Sequence, residues 1–512
     1  MTAVAVLGGG LAGITAALRC ADGGARVTLI EGRPRLGGLT HSFRRGDLAV
    51  DNGQHVFLRC CTAYLGLLDR LGVAEGVTLQ RRLAIPIVAP GRRPVWLRRG
   101  PWPAPAHLAR SLLGYAPLSP IERLRFAAAA LALRRVDLDA PATDEQSFGA
   151  WLAAHGQSRR AVETLWDLVG IATLNATAGR ASLALAAKVF QTGLLSTASA
   201  ADLGWPVVPL GDLHGTAAAR ALSAAGVEVR TSARVISVRP AAAGWDVELA
   251  TGPGGGTGPG GGTGLDAGTG TRAGTGPGVR PGPAAERRGV PATESRHVDQ
   301  VVCAVPPDAA ARILPPGVLP PGGRLGASPI VDVHVVYDRT VLDQPFVAAI
   351  DSPLQWIFDR TVQSGLTEGQ YVAVSLSAAD ELIDVPVARL RARMLPALAA
   401  LLPAARGAVV RDFFVTRERH ATFRPAPGTA RLRPAAATAL PGLWLAGAWT
   451  ATGWPATMEG AVRSGETAAA GVLDPSRRNA VRAGTRRRAP AGVDRLRRAA
   501  SGSARSMDGV AT

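Results

Sequence analysis

Polar residues that could do chemistry gather at positions 51–57 of this 512-residue chain, which read DNGQHVF. An acid, two amides, a glycine and a histidine stand immediately before an apolar stretch. Such a cluster suits a metal site, an acid–base catalytic site, or the lining of a bound molecule. Metal binding is disfavoured, because no CxxC, HxH or carboxylate cluster nearby supplies further ligands to Asp51 and His55. We therefore expect no metal.

Two uses of the DNGQHVF segment remain open. His55 and Asp51 are the candidate catalytic residues, because an imidazolium or a neutral carboxylic acid protonates a leaving group when burial tunes its pKa. In the alternative, Asp51 and Asn52 cap a turn and Gly53 lets the backbone approach a ligand closely. The side chains of Gln54 and His55 then hydrogen-bond that ligand or nearby helix ends.

A nucleotide motif at the start of the chain indicates what the ligand is. Gly8, Gly10 and Gly13 form GxGxxG between an apolar strand (3–7) and a helix, so that the helix N-terminus faces a pyrophosphate. The second strand ends at Glu31, near the ~20-residue spacing of an acid that binds a ribose 2′-OH. An acid here disfavours a 2′-phosphate. The motif predicts FAD or NAD rather than NADP.

The residues that follow distinguish FAD from NAD. EGRPRLGG places Arg35, Gly37 and Gly38 just after the ribose acid, and LWLAGAWTATGWPATMEGAVRSGETAA closes the ordered chain at 443–469. Together these resemble the glutathione-reductase-type flavoproteins, in the branch of amine oxidases, phytoene desaturases and protoporphyrinogen oxidases. The resemblance implies that FAD is the cofactor and that the DNGQHVF segment lines the flavin, so we prefer scaffolding to catalysis for it.

The same resemblance implies a set of FAD-binding residues. The arginine and paired glycines would lie along the diphosphate and ribityl chain, and the last helix would start at the pyrimidine ring of the flavin, where backbone N–H groups stabilise negative charge. The predicted FAD-binding residues are Gly8, Gly10, Gly13, Glu31, Arg35, Gly37, Gly38, Gly53, Val235, Gly447, Thr457 and Met458.

Within the branch, DNGQHVFLRCC, GAWTATGWPATMEGAVRSG and DLGWPVVPLGDLHG resemble the squalene-associated FAD-dependent desaturases, now understood as hydroxysqualene dehydroxylases. Membership would imply reduction of hydroxysqualene to squalene for hopanoid-type lipids, with reduced FAD as hydride source, an isoprenoid substrate, and an electron donor that the sequence does not name. A carotenoid-type desaturase is the alternative enzyme, an amine oxidase a weaker one, and a flavin-binding accessory protein the alternative outside catalysis.

Two positions depart from the branch, and two tryptophans have open roles. Leu39 stands where an arginine usually follows the paired glycines, and Ala448 where an acid usually bonds a ribityl hydroxyl. An unreplaced charge-assisted bond would cost ~1.5–3 kcal/mol of FAD binding. Trp449 and Trp454 are either core aromatics or walls of the substrate pocket, where their π faces would stabilise a cation.

The predicted fold is α/β: a glutathione-reductase-type Rossmann domain for FAD, with a second, substrate domain of helices plus antiparallel sheet. Alternating stretches at 331–338 and 371–377 predict strands of that sheet. The FAD domain is predicted to comprise residues 1–75, 205–250, 291–310 and 426–472. The substrate domain is predicted to comprise a mainly helical segment, 76–204, and a sheet segment, 311–425. A Gly/Pro-rich insertion at 251–290 and a basic tail at 473–512 are predicted to be disordered.

Composition narrows the partners and the compartment. The net charge is +18, but aromatic residues are 5% and no basic stripe is interleaved with them, so we expect no nucleic-acid binding. The arginine-rich tail fits an anionic membrane surface better. The four cysteines lack CxxC spacing, and the N-terminus has no basic region before its apolar run. We expect a cytoplasmic protein in peripheral contact with the inner face of the cell membrane.

Overall fold

The structure, a computed structural model, describes residues 1–251, 292–320 and 325–474. Nearly all of the predicted 251–290 insertion and of the predicted 473–512 tail therefore lies outside the described residues.

A five-stranded parallel sheet forms the centre of one half of the molecule. Strands Ala3–Leu7, Gln300–Cys303 and Leu443–Leu445 are short, mostly apolar runs that are buried on both faces, as expected when helices cover both sides of a parallel sheet. Helix Leu11–Asp22 packs so closely on helix Met458–Leu473 that a side chain at Gly465 would meet the Ala12 carbonyl oxygen at 2.3 Å. The strand order is Glu228–Arg230, Arg26–Ile30, Ala3–Leu7, Gln300–Cys303, Leu443–Leu445. The α/β prediction is confirmed.

A three-stranded antiparallel sheet of Arg234–Pro240, Trp245–Thr251 and Ala292–Val298 lies beside the parallel sheet. Its last strand, Ala292–Val298, is separated by a single residue from strand Gln300–Cys303 of the parallel sheet. The break falls at Asp299, whose backbone N–H donates to the Ala3 carbonyl and whose carboxylate accepts the Ala3 N–H at 2.7 Å. These bonds turn the chain from the antiparallel sheet into the parallel one.

The other half of the molecule is built on a seven-stranded sheet. Its order is Val410–Phe423, Ala327–Tyr337, Gln370–Leu376, Trp356–Asp359, Phe346–Ala349, Ala84–Val88, Val95–Arg98. All pairings are antiparallel except that of Phe346–Ala349 with Ala84–Val88. Helix Val387–Leu401 is amphipathic and buries Leu390, Met394 and Leu398 at a spacing of four. The segment 76–204, predicted to be mainly helical, thus also supplies two strands of this sheet.

The remaining elements are short and fill the space around the two large sheets. Two small sheets pair Ser42–Arg45 with Leu48–Asp51, and Leu203–Pro206 with Phe57–Leu58 and Val77–Leu79. The other α-helices are Thr62–Leu71, Ala109–Leu113, Pro120–Leu133, Pro141–Glu145, Phe148–Ala154, Arg159–Ala161, Asp167–Leu174, Leu183–Phe190, Ala217–Ala224, Pro307–Ile313 and Thr361–Ser364. Packed rings of Phe126, Phe148, Trp166 and Phe190 hold the helical part together.

Candidate functional site

The GxGxxG turn has no room for side chains at two of its glycines. Gly8 has φ +104°, and a Cβ there would lie 2.8 Å from the Ala304 carbonyl oxygen. A Cβ at Gly13 would lie 1.8 Å from the Gly8 carbonyl oxygen. Helix Leu11–Asp22 begins after Gly10 without a side-chain cap, so its first N–H groups are available to an anion.

Glu31 stands at the end of the second parallel strand and faces this turn. Its carboxylate accepts the Gly9 N–H at 2.7 Å and the Arg33 N–H at 2.8 Å. The backbone of Ser232 and Ala233 donates to the carbonyl groups of Arg33 and Glu31, which brings the half-buried Val235 of the adjoining strand to the same end of the sheet. The predicted ribose acid and Val235 therefore share one neighbourhood.

The second glycine segment packs directly on the first. The Gly37 N–H donates to the Gly9 carbonyl at 2.9 Å, and a Cβ at Gly38 would lie 2.9 Å from the Gly10 Cα. The Arg35 guanidinium donates to the Gly38 carbonyl, and burial together with neighbouring Arg33 lowers the pKa of Arg35 to about 10. The two motifs thus form one continuous surface, which we call the glycine cradle (residues 8–13 and 35–38).

The C-terminal motif contains the start of the last described helix, as the sequence predicted. Thr457 caps helix Met458–Leu473 by accepting the Gly460 N–H at 3.1 Å, and Met458 is its first residue. Buried Glu459 accepts the N–H groups of Ala63 and Tyr64 at 3.2 and 2.8 Å. One carboxylate therefore serves the first turns of two helices.

The loop before that helix is organised by an arginine that sequence reasoning missed. Gly447 has φ +131° and donates its N–H to the Ser464 hydroxyl. The buried Arg433 guanidinium donates to the carbonyls of Ala448 and Thr450, and burial lowers its pKa to about 10. Arg433 lies outside the motif and has no local signature, so only the folded chain reveals it.

The two tryptophans of this loop have different surroundings. Trp449 is buried in the core and donates its indole N–H to the Val305 carbonyl at 3.1 Å, so the structure favours the core role over a pocket wall. Trp454 is half-buried, with Lys188 Nζ 5.2 Å and Arg463 Cζ 5.0 Å from its ring centroid. Its π face is already shared by two cations.

Asp51 anchors the DNGQHVF segment to the seven-stranded sheet. It forms a buried ion pair with Arg360 and accepts the Ser42 hydroxyl and the Leu210 N–H. Asn52 exchanges two hydrogen bonds with the backbone of His41. All of these bonds fix the segment in place.

His41 connects the segment to the glycine cradle. Its Nδ1 hydrogen-bonds the Gly38 carbonyl at 3.1 Å, so Asn52 and Gly38 are linked through one residue. Burial, with Arg35 and Arg33 nearby, lowers the pKa of His41 to about 3. His41 is therefore neutral at physiological pH and serves as a hydrogen-bonding spacer.

Gly53, Gln54 and His55 face a buried acid, Asp332, from strand Ala327–Tyr337. A Cβ at Gly53 would lie 3.5 Å from the His55 ring and 3.7 Å from Asp332 Oδ2. The Ser375 hydroxyl and the Gln54 N–H bond Asp332, and burial nevertheless raises the pKa of Asp332 to about 7. Among the described residues, Asp332 Oδ1 and Gln54 Oε1 are buried without a hydrogen-bond partner.

His55 itself is neutral at physiological pH. Its Nδ1 hydrogen-bonds the Gly53 carbonyl at 3.0 Å, and burial lowers its pKa. Two residues beyond Asp332 on the same face of its strand, His334 is hydrogen-bonded at its two ring nitrogens by Tyr371 and Thr416, and burial lowers its pKa to about 3. The site therefore has one face of glycines and one face of buried polar groups.

Two features are absent from the described residues: a cluster of metal ligands and a membrane-spanning helix. Within residues 1–251, 292–320 and 325–474, no three His, Cys, Asp or Glu side chains come together in a way that could hold a metal ion. Across the same ranges, no helix is both long enough and apolar enough to cross a bilayer.

Comparison with known proteins identifies the family. Residues 11–257 and 283–473 match the family described as flavin containing amine oxidoreductase. The chain belongs to that family. FAD is accordingly its cofactor, and the residues present fit it: two glycine segments without room for side chains, an acid just after the second strand, and a helix that starts without a side-chain cap behind the first glycine turn.

Curated relatives match a limited part of this flavoprotein. A zeta-carotene desaturase of Arabidopsis thaliana is 29% identical over 180 residues, 33% of this chain and 32% of the plant protein. A hydroxysqualene dehydroxylase of Sinorhizobium fredii is 30% identical over 177 residues, 33% of this chain and 38% of the bacterial protein. The matched part thus spans about a third of each relative. Putrescine oxidase bound to putrescine shares the fold at TM-score 0.62 and 18% identity, over 92% of this chain and 99% of that one.

Proposed function

We propose that this flavoenzyme removes the hydroxyl group of hydroxysqualene reductively and forms squalene. The observation that carries the proposal is the position of Asp332, a buried acid with an unpartnered oxygen, beside Gly53 and His55. A leaving hydroxyl needs a proton, and the enzyme must hold that proton where water is excluded. The resemblance to a hydroxysqualene dehydroxylase supports the same substrate class.

Asp332 is better suited to the role of proton donor than Asp51 or His55, the residues that the sequence suggested. Because burial raises its pKa to about 7, about half of the molecules carry the proton at neutral pH. Asp51 is committed to Arg360, and burial keeps His55 neutral. In this proposal Asp332 delivers the proton, while His55 and Asp51 shape and hold the segment.

The proposed reaction balances with one proton and one hydride. Reduced FAD would supply hydride chemistry at this site. Asp332 gives its proton to the hydroxyl group, which leaves as water from the carbon that would take up the hydride. The unpartnered Gln54 Oε1 is available to accept a hydrogen bond from the substrate hydroxyl and hold it toward Asp332. The apolar side chains of the substrate domain would keep bulk water from the intermediate cation.

A carotenoid-type desaturase is the second candidate, because the zeta-carotene desaturase matches about as well. The same acid would then work in the opposite direction: deprotonated Asp332 would accept a proton from the substrate, and oxidised FAD would supply the hydride acceptor. Both candidates take a long apolar isoprenoid.

One anaerobic assay separates these candidates. The purified FAD-loaded enzyme is reduced chemically and mixed with hydroxysqualene, and the expected result is squalene together with the spectrum of oxidised flavin. The oxidised enzyme mixed with a carotenoid polyene is the control. Turnover of the polyene without conversion of hydroxysqualene would overturn the proposal, and a colourless protein that cannot take up FAD would indicate an accessory role.

A further inference from the structure

One face of the substrate domain exposes large apolar side chains on the solvent side of a helix. Helix Pro120–Leu133 begins at a Ser119–Glu122 capping box and buries Ala129 and Leu133. Its outer surface carries Ile121, Leu124 and Leu131, which are 54%, 66% and 48% exposed. Their spacing of three and seven residues places them on one stripe. This helix therefore presents an apolar stripe to solvent, the reverse of an ordinary surface helix.

Neighbouring elements extend the stripe. Leu113, at the end of helix Ala109–Leu113, is 72% exposed. Its carbonyl accepts a hydrogen bond from Arg123 of helix Pro120–Leu133, which brings Leu113 to the edge of the stripe. The Arg98 N–H donates to Ser111 at 2.8 Å and so holds helix Ala109–Leu113 on strand Val95–Arg98. Trp102, 52% exposed, lies in the loop between them. We call these exposed residues (Trp102, Leu113, Ile121, Leu124 and Leu131) the apolar face.

The charge around the apolar face is strongly one-sided. Residues 81–135 contain eleven arginines and one acid, Glu122, which gives +11 − 1 = +10. The carboxylate of Glu122 is itself bonded by the hydroxyl groups of Ser119 and Ser158. Arg99 of this segment pairs with Asp202, whereas Arg110, Arg125 and Arg135 are exposed cations on or next to the two helices of the apolar face.

We propose that the apolar face and its arginines dock on an anionic lipid bilayer. Exposed Leu, Ile and Trp beside arginines match the interfacial zone of a membrane, where apolar groups enter the acyl boundary and cations meet lipid phosphates. A second copy of the chain would bring two surfaces of the same positive sign together, which is unfavourable. This inference is independent of the proposed reaction, although an isoprenoid substrate dissolved in a bilayer would reach the enzyme from that side.

Vesicle sedimentation with the full-length FAD-loaded protein tests the proposal. The wild type is expected to bind vesicles of phosphatidylcholine and phosphatidylglycerol at 7:3, and to bind pure phosphatidylcholine vesicles more weakly. The double variant Ile121→Glu/Leu124→Glu is expected to lose roughly tenfold or more in partition coefficient. Its matched control is Val362→Glu/Val409→Glu, at valines that are 80% and 61% exposed elsewhere, which should bind like the wild type.

A second pair of variants tests the charge contribution. Arg125→Glu/Arg135→Glu should weaken binding roughly tenfold or more and flatten its dependence on salt. Arg389→Glu/Arg393→Glu, at exposed arginines of helix Val387–Leu401, makes the same change in net charge and should bind like the wild type. Unchanged flavin absorbance and circular dichroism establish that every variant is folded.

A truncation separates the apolar face from the basic C-terminal residues. Deletion of residues 475–512 is expected to leave the difference between Ile121→Glu/Leu124→Glu and its control intact. The proposal is overturned if the wild type ignores anionic vesicles, if the Glu variants bind as well as their controls, or if the truncation alone abolishes binding.

Discussion

The five-stranded parallel sheet and the seven-stranded sheet contribute opposite sides of the candidate site through contacts of very different range. On the first side, Gly9 and Glu31 are 22 residues apart and Gly37 bonds Gly9. On the second side, Arg360 reaches Asp51 across 309 residues. The glycine and acid contacts of the cofactor side are therefore encoded in local motifs, whereas the contacts around the buried acid join residues hundreds of positions apart.

The largest effect is expected from adding a single Cβ atom to the glycine turn on the cofactor side. Gly13→Ala should abolish FAD binding and destabilise the fold by more than about 4 kcal/mol, because its Cβ would lie 1.8 Å from a backbone oxygen. FAD content and thermal unfolding measure this. Gly66→Ala is the matched control, since that helical glycine has nothing within 4 Å of an added Cβ and alanine favours helix. Normal FAD content in Gly13→Ala would contradict the tight-turn role.

Removing the buried ion pair between Asp51 and Arg360 should lower the free energy of unfolding by nearly as much. Arg360→Ala leaves the buried Asp51 carboxylate without its cation and should lower the free energy of unfolding by about 3–5 kcal/mol. Arg159→Ala, which removes an exposed helical pair with Glu163, should leave the free energy of unfolding nearly unchanged. Urea denaturation of both variants provides the comparison, and equal losses would show that the buried pair does not hold the two regions together.

Asp332→Asn tests the acid on the far side of the site. We expect about a 100-fold loss of turnover with an unchanged flavin spectrum, since Asn does not donate an acidic proton. The folded-state pKa, about 7, exceeds the unfolded value, so the wild-type free energy of unfolding should fall as pH rises from about 4 to 7. The Asn variant should lack this component, and the difference should reach about 2–4 kcal/mol above pH 7. Parallel pH profiles would contradict the raised pKa.

His55→Ala should give the smallest effect. If His55 positions the segment, turnover should fall about tenfold or less and the flavin spectrum should shift slightly. His55→Gln, which retains a hydrogen-bonding side chain, should recover part of the loss. A loss of about 1,000-fold in His55→Ala with an unchanged spectrum would instead assign His55 to proton transfer.

The sequence predicted the local side well. The strand at 3–7, Glu31 at the end of its neighbour, and the helix start at Thr457 all appear where the motifs place them. Glycine spacing carries this information because a turn without room for a Cβ admits few alternatives. The strands at 331–338 and 371–377 are also confirmed, as Ala327–Tyr337 and Gln370–Leu376.

The polar face of the site could not be predicted in the same way. Asp332 and His334 alternate with valines, which is the pattern of a strand with one face in water. Alternation shows which residues share a face, but it does not show that another part of the chain covers that face. Because residues 51–55 and Tyr371 cover it, both polar side chains are buried. The roles of Arg360 and Arg433 could not be predicted either. The partner of Arg360 lies 309 residues away in the sequence, and Arg433 donates to backbone carbonyl groups, which leave no mark in the sequence.

The order of the strands also has a consequence for biosynthesis. Strand Ala3–Leu7 stands in the middle of the parallel sheet, yet the edge strand Leu443–Leu445 and the covering helix Met458–Leu473 leave the ribosome more than 430 residues later. At about 5–20 residues per second, this interval lasts roughly 20–90 s. During translation the nascent nucleotide half lacks this edge strand and its covering helix. FAD uptake should therefore be one of the last events in the synthesis and folding of this protein. Contact between chaperones and the nascent chain should last longest at the open edge of the parallel sheet.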